Sequence, residues 1–344
     1  MNPNLNSGDE ERSRLDEVAQ EIVDGTRRLH DLPPWMTAVQ AAYVRRSALE
    51  RIHGVSLDTV GRYALDAERA ATRHCENFIG ATQVPLGIIG PLHVRGDRVN
   101  DEKLFVPLAT TEGALIASIN RGCRAIRESG GAVARVEEVG MTRAPVFKTS
   151  GMAQTRRFLD WVGDHEDDIR RVAESTSRHL TLLDVRPMSF GTTVFLRFRF
   201  DSGDAMGMNM ATIACDRVVR ELIEPSAGIE CVALSGNYCV DKKPAAINFH
   251  EGRGKRIYAE VTLSEEVLRG RLKTNAESLV EVQYRKNLLG SIAAGSNGFN
   301  AHFANVLAAF FLATGQDPAH VVEGSMGVTC IEARGDGGVI ASVF

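Results

Sequence analysis

The sequence predicts an α+β protein in which a large helical and mixed domain is interrupted by an inserted ferredoxin-like βαββαβ layer. Residues 144–235 read in order as strand, helix, strand, strand, helix, strand. That is the split βαβ pattern, which forms an antiparallel sheet with helices on one face. Helical and glycine-rich sequence resumes after residue 235, so the layer is read as an insertion. At 344 residues, 44% hydrophobic and 24% charged, the chain is long enough for two or three domains whose cores need no disulfide or metal. The expected boundaries are an N-terminal helical segment at 1–70, a large domain at 71–143 and 235–344, and the inserted small domain at 144–234.

From Asp16 to Arg69 apolar and charged positions alternate at helical spacing, broken by Leu32-Pro33-Pro34; this predicts a helical entry segment. Between Asn77 and Gly96 glycines and prolines cut an apolar run into short extended pieces and turns. Leu115, Ile119 and Ile126 form one stripe of a helix, with Thr111 as its expected N-cap and Glu112 in its first turn. Inside the inserted layer the expected elements are a strand at Pro145 to Thr149, helices from Met152 to Glu174, strands at Leu180 to Val185 and Thr193 to Phe200, a helix from Met206 to Ile223 and a strand at Ile229 to Leu234. The apolar stretch Val306 to Ala313 reads as a core helix.

A formal net charge of -4 gives no basic footprint, so nucleic-acid binding is not expected. Six cysteines without a CxxC pair, mostly among apolar residues, point to a reducing compartment and no zinc site. Met1 to Arg14 lacks the apolar core of a secretory signal, and no stretch approaches the roughly 20 apolar residues of a bilayer span. A cytoplasmic protein without membrane association is expected.

Four constellations carry chemistry. Glu112 at a helix start is, taken alone, explained by the helix dipole. Asp204-Ala205-Met206-Gly207-Met208-Asn209-Met210 places a glycine and free backbone amides at a helix start, which suits a phosphate; methionine packing is the alternative, and no GxGxxG supports a Rossmann domain. Ser235 to Pro244 follows a strand and presents Lys242 and Lys243. Lysine there would stabilise a developing alkoxide, although a solvated charged turn has the same wording. Lys286, Asn287, His302, Asn305 and Asp317 lie among small residues that allow close helix packing, and His302 by itself reads as a core histidine.

Taken jointly, Glu76-Asn77-Phe78-Ile79-Gly80, Pro85 to Leu92, Ala109 to Gly113, Asn120 to Cys123, Asp204 to Met210, Ser235 to Asn248, Glu251 to Lys255 and Gly315-Gln316-Asp317 resemble hydroxymethylglutaryl-CoA reductase in order, spacing and wording. The resemblance runs from Glu76 to Glu332, about three-quarters of the chain, and its wording is nearer the biosynthetic, NADPH-using class than the NAD-using degradative one. It implies NADPH-dependent reduction of 3-hydroxy-3-methylglutaryl-CoA to mevalonate and CoA, with the inserted layer binding the cofactor. Glu112 matches the proton donor, Lys242 the cation on the substrate carbonyl oxygen, and Asp317 the carboxylate linking them. Glu76, Asn77, Ser118, Arg121, Arg143, Ser235, Asp241, Lys243, Lys286, His302 and Asn305 match substrate and CoA contacts. Asp204, Met206, Gly207, Met208 and Asn209 match the cofactor segment. A homodimer or dimer-based assembly is implied.

The sequence ends after Val339 to Phe344, before the glycine-rich segment and catalytic histidine that the resemblance leads one to expect. A weakly active or non-catalytic CoA- or nucleotide-binding member is therefore one competing expectation, and an NAD-dependent mevalonate-degrading enzyme is a separate one.

Overall fold

In the computed structural model residues 9–344 are described; the first eight residues of the polar stretch read at Met1 to Arg14 fall outside them. The chain divides into two compact units, Met1–Val84 and Pro85–Phe344.

In the first unit α1 (Asp9–Val23) presents Leu15, Val18, Ala19 and Ile22, spaced three and four residues apart, to Val44 and Ala48 of α2 (Ala38–His53). Thr37 and Gln40 close a capping box at the start of α2, and Gly54 ends it in the left-handed conformation. Asp66 caps the short α3 (Ala67–Arg73), and Phe78 is buried edge-on against Tyr63 at 5.2 Å.

The second unit opens with β1 (Leu86–Gly96), β2 (Glu102–Ala109), α4 (Leu115–Glu128) and β3 (Ala132–Arg143). There follow β4 (Val146–Lys148), α5 (Met152–Asp164), α6 (Glu166–Glu174), β5 (Thr181–Phe190), β6 (Thr193–Asp201), α7 (Met208–Val218), continued in wider turns over Val219–Ala227, and β7 (Glu230–Ala233). This is the order read from the sequence. On β6, Val194, Leu196, Phe198 and Phe200 all point into the core at the period of two that a strand dictates. They pack against Phe147, Phe158, Ile169 and Ile223.

The chain continues through α8 (Ala246–Glu251), β8 (Gly254–Leu263), α9 (Glu265–Val267), α10 (Ala276–Val282), α11 (Ser291–Ala294), α12 (Phe303–Thr314), α13 (Val321–Gly324), β9 (Thr329–Ala333) and β10 (Val339–Val343). The strands join in the order β7-β4-β6-β3-β8-β10-β9, with β5 on β6 and β1 between β2 and β3. The fold is α+β.

β3 serves two sheets. Val133 to Gly140 pair with β8, while Met141 to Arg143 pair with β6. The change of partner falls at Gly140, whose φ of +85° suits glycine and where a Cβ would meet Leu183 Cδ1 at 2.7 Å.

Three expectations need correction. Thr111 is not the N-cap of α4: Ala114, in the left-handed conformation at φ 66°, occupies that position, and Glu112 lies in the preceding turn with its N–H donated to Thr110 Oγ1 at 2.9 Å. The Asp204 string precedes its helix, because Gly207 at φ 82° holds the chain out of helical geometry until Met208. The helix over Val306 to Ala313 is no core helix: Ala309 is its only buried residue, Phe310 and Leu312 are exposed, and only one side packs on β2 and its neighbours.

Candidate active site

Between β7 and α8 the chain makes a loop in which three non-glycine residues, Asn237, Val240 and Lys242, hold positive φ of 62°, 49° and 56°. For β-branched Val240 this is costly, and such geometry persists only where the surroundings fix it. They do. The Cys239 carbonyl accepts from Thr142 Oγ1 at 2.8 Å, the Val240 carbonyl from Asn248 Nδ2 at 3.3 Å, and Glu323 Oε1 takes the Lys242 N–H at 3.2 Å. Cys239 is buried, which alone would push its thiol up, yet hydrogen bonds with Ser235 and the Asp241 backbone and the charge of Arg143 bring it below its ordinary value.

Arg253, in the turn just before β8, is the hub of these contacts. Its side chain is 2% exposed. The guanidinium donates to Asp241 Oδ1 at 2.9 Å, Glu323 Oε1 at 2.7 Å and Thr142 Oγ1 at 3.0 Å, and Nη2 lies 2.9 Å from Met208 Sδ. A buried cation requires such pairing. Asp241, His320 and Glu323 bring potential metal-ligand atoms within 4.8 Å of one another. The guanidinium already supplies the positive charge between the two carboxylates, so the trio is a polar hub rather than a cation site.

On the rim of this hub Lys242 Nζ meets Asp317 Oδ2 at 2.6 Å. Asp317 is fixed by its own turn, where Oδ1 accepts the Ala319 N–H at 3.0 Å. The hydrogen bond to Lys242 holds the Asp317 carboxyl below the usual range, and the same bond raises the Lys242 ammonium. Lys242 is therefore a firmly charged group with its direction set by a carboxylate.

Beside the hub a cleft of about 660 Å³ is lined by Gly203, Asp204, Ala205 and Met206 on one side and by Arg253, Lys255, His320 and Glu323 on another. At Gly207 a Cβ would come within 2.4 Å of Ser202, so the tight turn that shapes this wall requires glycine. Arg143 donates twice to Thr212 Oγ1, at 3.0 and 2.6 Å, tying the end of β3 to α7. Gly207 and Met208 open α7, with Met208 buried, while Asn209 is exposed on the first turn.

The structure thus brings Lys242, Asp317, Asp241 and Met208 into one network, with Lys243 Nζ on the Asp241 carbonyl and Ser235 on Cys239 Sγ. Glu112 stands apart: its Oε2 accepts from Asn305 Nδ2 at 2.7 Å. Ser118 and Arg121 are exposed on α4, Lys286 is exposed between α10 and α11, and His302 sits at the N-cap of α12 at φ 70°. Glu76 and Asn77 belong to the first unit, Asn77 at φ 54°. The sequence reading missed Arg253, His320 and Glu323 as site residues. The signal for Arg253 was its place between two glycines in the Glu251 to Lys255 string.

The sequence model of hydroxymethylglutaryl-coenzyme A reductase matches residues 41–344. The 3-hydroxy-3-methylglutaryl-coenzyme A reductase of Methanothermobacter thermautotrophicus is 48% identical over 318 residues, covering 92% of this chain and 80% of the relative. That of Haloferax volcanii is 50% identical over 326 residues, covering 95% and 80%. Among solved structures, a class II reductase from Streptococcus pneumoniae bound to NADPH shares the fold at a TM-score of 0.61 and 16% identity, covering 96% of this chain and 82% of that one.

Proposed function

The chain belongs to the hydroxymethylglutaryl-coenzyme A reductase family, and from that premise we propose that it reduces 3-hydroxy-3-methylglutaryl-CoA to mevalonate and CoA with NADPH, supplying isoprenoid precursors. One observation carries the reading. The Lys242 ammonium is held by Asp317 at 2.6 Å on a strained loop that Arg253 and Glu323 fix in place.

NADPH, when bound, supplies hydride to the substrate carbonyl carbon. The chain's part is to place charge where the oxygen becomes negative. Lys242 faces that oxygen, and its charge counts most in the transition state. Arg143 and Lys286 suit the free carboxylate of the substrate, with Ser235, Asp241 and Lys243 along the same loop. Glu76, Asn77, Ser118, Arg121 and His302 are assigned to the substrate and CoA. Asp204, Met206, Gly207, Met208 and Asn209 are assigned to the cofactor, and the cleft beside a glycine-shaped helix start fits a phosphate-bearing ligand.

Glu112 is assigned as proton donor. Within one chain it engages Asn305 rather than Lys242 or Asp317, which supports the homodimer that the resemblance implies, with Glu112 of one copy serving the lysine loop of another. None of the described helices is long and apolar enough to cross a membrane, in keeping with the proposed cytoplasmic location.

Lys242→Ala tests the reading. Turnover with NADPH should fall about 10²–10³-fold, the cost of losing one oxyanion-stabilising group, with unchanged thermal melting. Near-normal turnover in a folded variant overturns the assignment. Parallel assays with NADH decide the cofactor.

A further inference from the structure

Some polar atoms are left over at the hub. His320 Nε2 and Glu323 Oε2 are buried with no hydrogen-bond partner. His320 is 6% exposed and its Nδ1 lies 3.0 Å from Glu323 Oε1, the oxygen that also takes Arg253 and the Lys242 N–H. Nε2 points the other way, 3.9 Å from Asp317 Oδ2. That is the oxygen holding Lys242 Nζ.

A neutral ring that donates from Nδ1 to Glu323 turns a bare Nε2 lone pair toward a carboxylate oxygen, and nothing forms between them. A ring carrying both protons turns an N–H toward the same oxygen. A small shift then closes the gap to hydrogen-bond distance. His320 is one of the residues that line the cleft beside the hub.

We propose that His320 is a positioning residue for the Lys242–Asp317 pair: held by Glu323, it takes a proton at Nε2 and then shares Asp317 Oδ2 with Lys242. This rests on Lys242 acting on the substrate oxygen. With His320 protonated, the Asp317 charge is divided and the ammonium is freer to turn to substrate. With His320 neutral, the whole carboxylate charge lies on Lys242. Turnover is therefore higher with His320 protonated than with it neutral. The charged groups around the ring are Asp317 and Glu323 from its own segment, Asp241 and Lys242 from the loop, and Arg253 from the turn just before β8. Glu138, Lys255 and Asp204 line the same cleft. Of these types only histidine ordinarily exchanges a proton near neutral pH.

Two measurements on the whole protein decide it. In ¹⁵N-histidine NMR, Asp317→Asn should shift the His320 titration to lower pH, since it removes the carboxylate that accepts the Nε2 proton. The pH profile of kcat should show a neutral-range step of about five-fold, the worth of one shared hydrogen bond, while KM changes little. His320→Gln, which cannot titrate, should abolish that step. A step at the same pH in His320→Gln, or a His320 titration unmoved by Asp317→Asn, overturns the proposal. If His320→Gln fails to fold, the NMR comparison alone decides. A failure of the functional reading is distinguishable: Lys242→Ala would then keep its turnover, while His320 and Asp317 would still titrate together.

Discussion

The βαββαβ layer and the Arg253 hub lie on either side of β3 and are held together by opposite means. In the layer, Leu196, Phe198, Phe200 and Phe147 are completely buried in a continuous apolar core, where each contact is small, non-directional and replaceable. In the hub a single guanidinium gathers Thr142, Asp241 and Glu323 from three separate stretches of chain. A core loses stability in proportion to the volume removed, whereas a buried charge network fails when one member goes. Stability in the first region is spread over many such contacts. The orientation of the lysine loop resides in the second.

The sharpest test of this contrast is Arg253→Met, which keeps much of the side-chain volume but leaves Asp241 and Glu323 without their cation. It should destabilise the protein by about 3–5 kcal/mol and also lower turnover, because the Lys242 loop loses its anchor. Denaturant melts together with kcat decide, and a variant unchanged in both would remove the hub from the account. Leu196→Ala should cost about 2–5 kcal/mol yet keep turnover per folded molecule well below the melting temperature. A fall in turnover matching that of Arg253→Met would erase the distinction between the regions.

The smallest effect belongs to the Lys242–Asp317 pair, whose side chains are 41% and 39% exposed and which solvent therefore screens. Asp317 titrates below its ordinary range, so its stabilisation is present above the usual carboxylate value of about 3.9 and is lost as pH falls through the depressed one. Lys242 titrates above its ordinary range, so its share is present at neutral pH and is lost as pH rises through the raised value. Asp317→Asn should thus cost no more than about 1 kcal/mol at pH 7, and the difference from the parent should vanish in acid. A difference that persists in strong acid would show that Asp317 acts through packing instead.

The layer was legible because alternation on β6 and the order of strands and helices are local signals. The lysine loop was legible through the length of its wording, Asp241 to Asn248. Helix starts were misread where a residue took the left-handed conformation against its type: nothing in Thr111-Glu112-Gly113-Ala114 announces that Ala114 turns left and delays the helix. The hub was illegible for another reason. Arg253 and Glu323 are 70 residues apart and Arg253 and Thr142 are 111 apart, and no periodicity links such positions. His320 belongs to no motif, although its place three residues after Asp317 and three before Glu323 puts its ring between two carboxylates.

Gly140 carries a consequence for how this chain can drift in sequence. Along the rest of β3 exposed positions such as Val133 and Arg135 can exchange freely, but at Gly140 a new side chain would meet Leu183 at 2.7 Å and the Phe200 carbonyl oxygen at 3.2 Å. The first obstacle can be relieved by a second substitution, whereas the second is backbone and has no substitute. Intermediate steps are therefore closed at the point where the strand changes partners. Two layers that could otherwise diverge at their own pace are tied to one inherited geometry by a single codon.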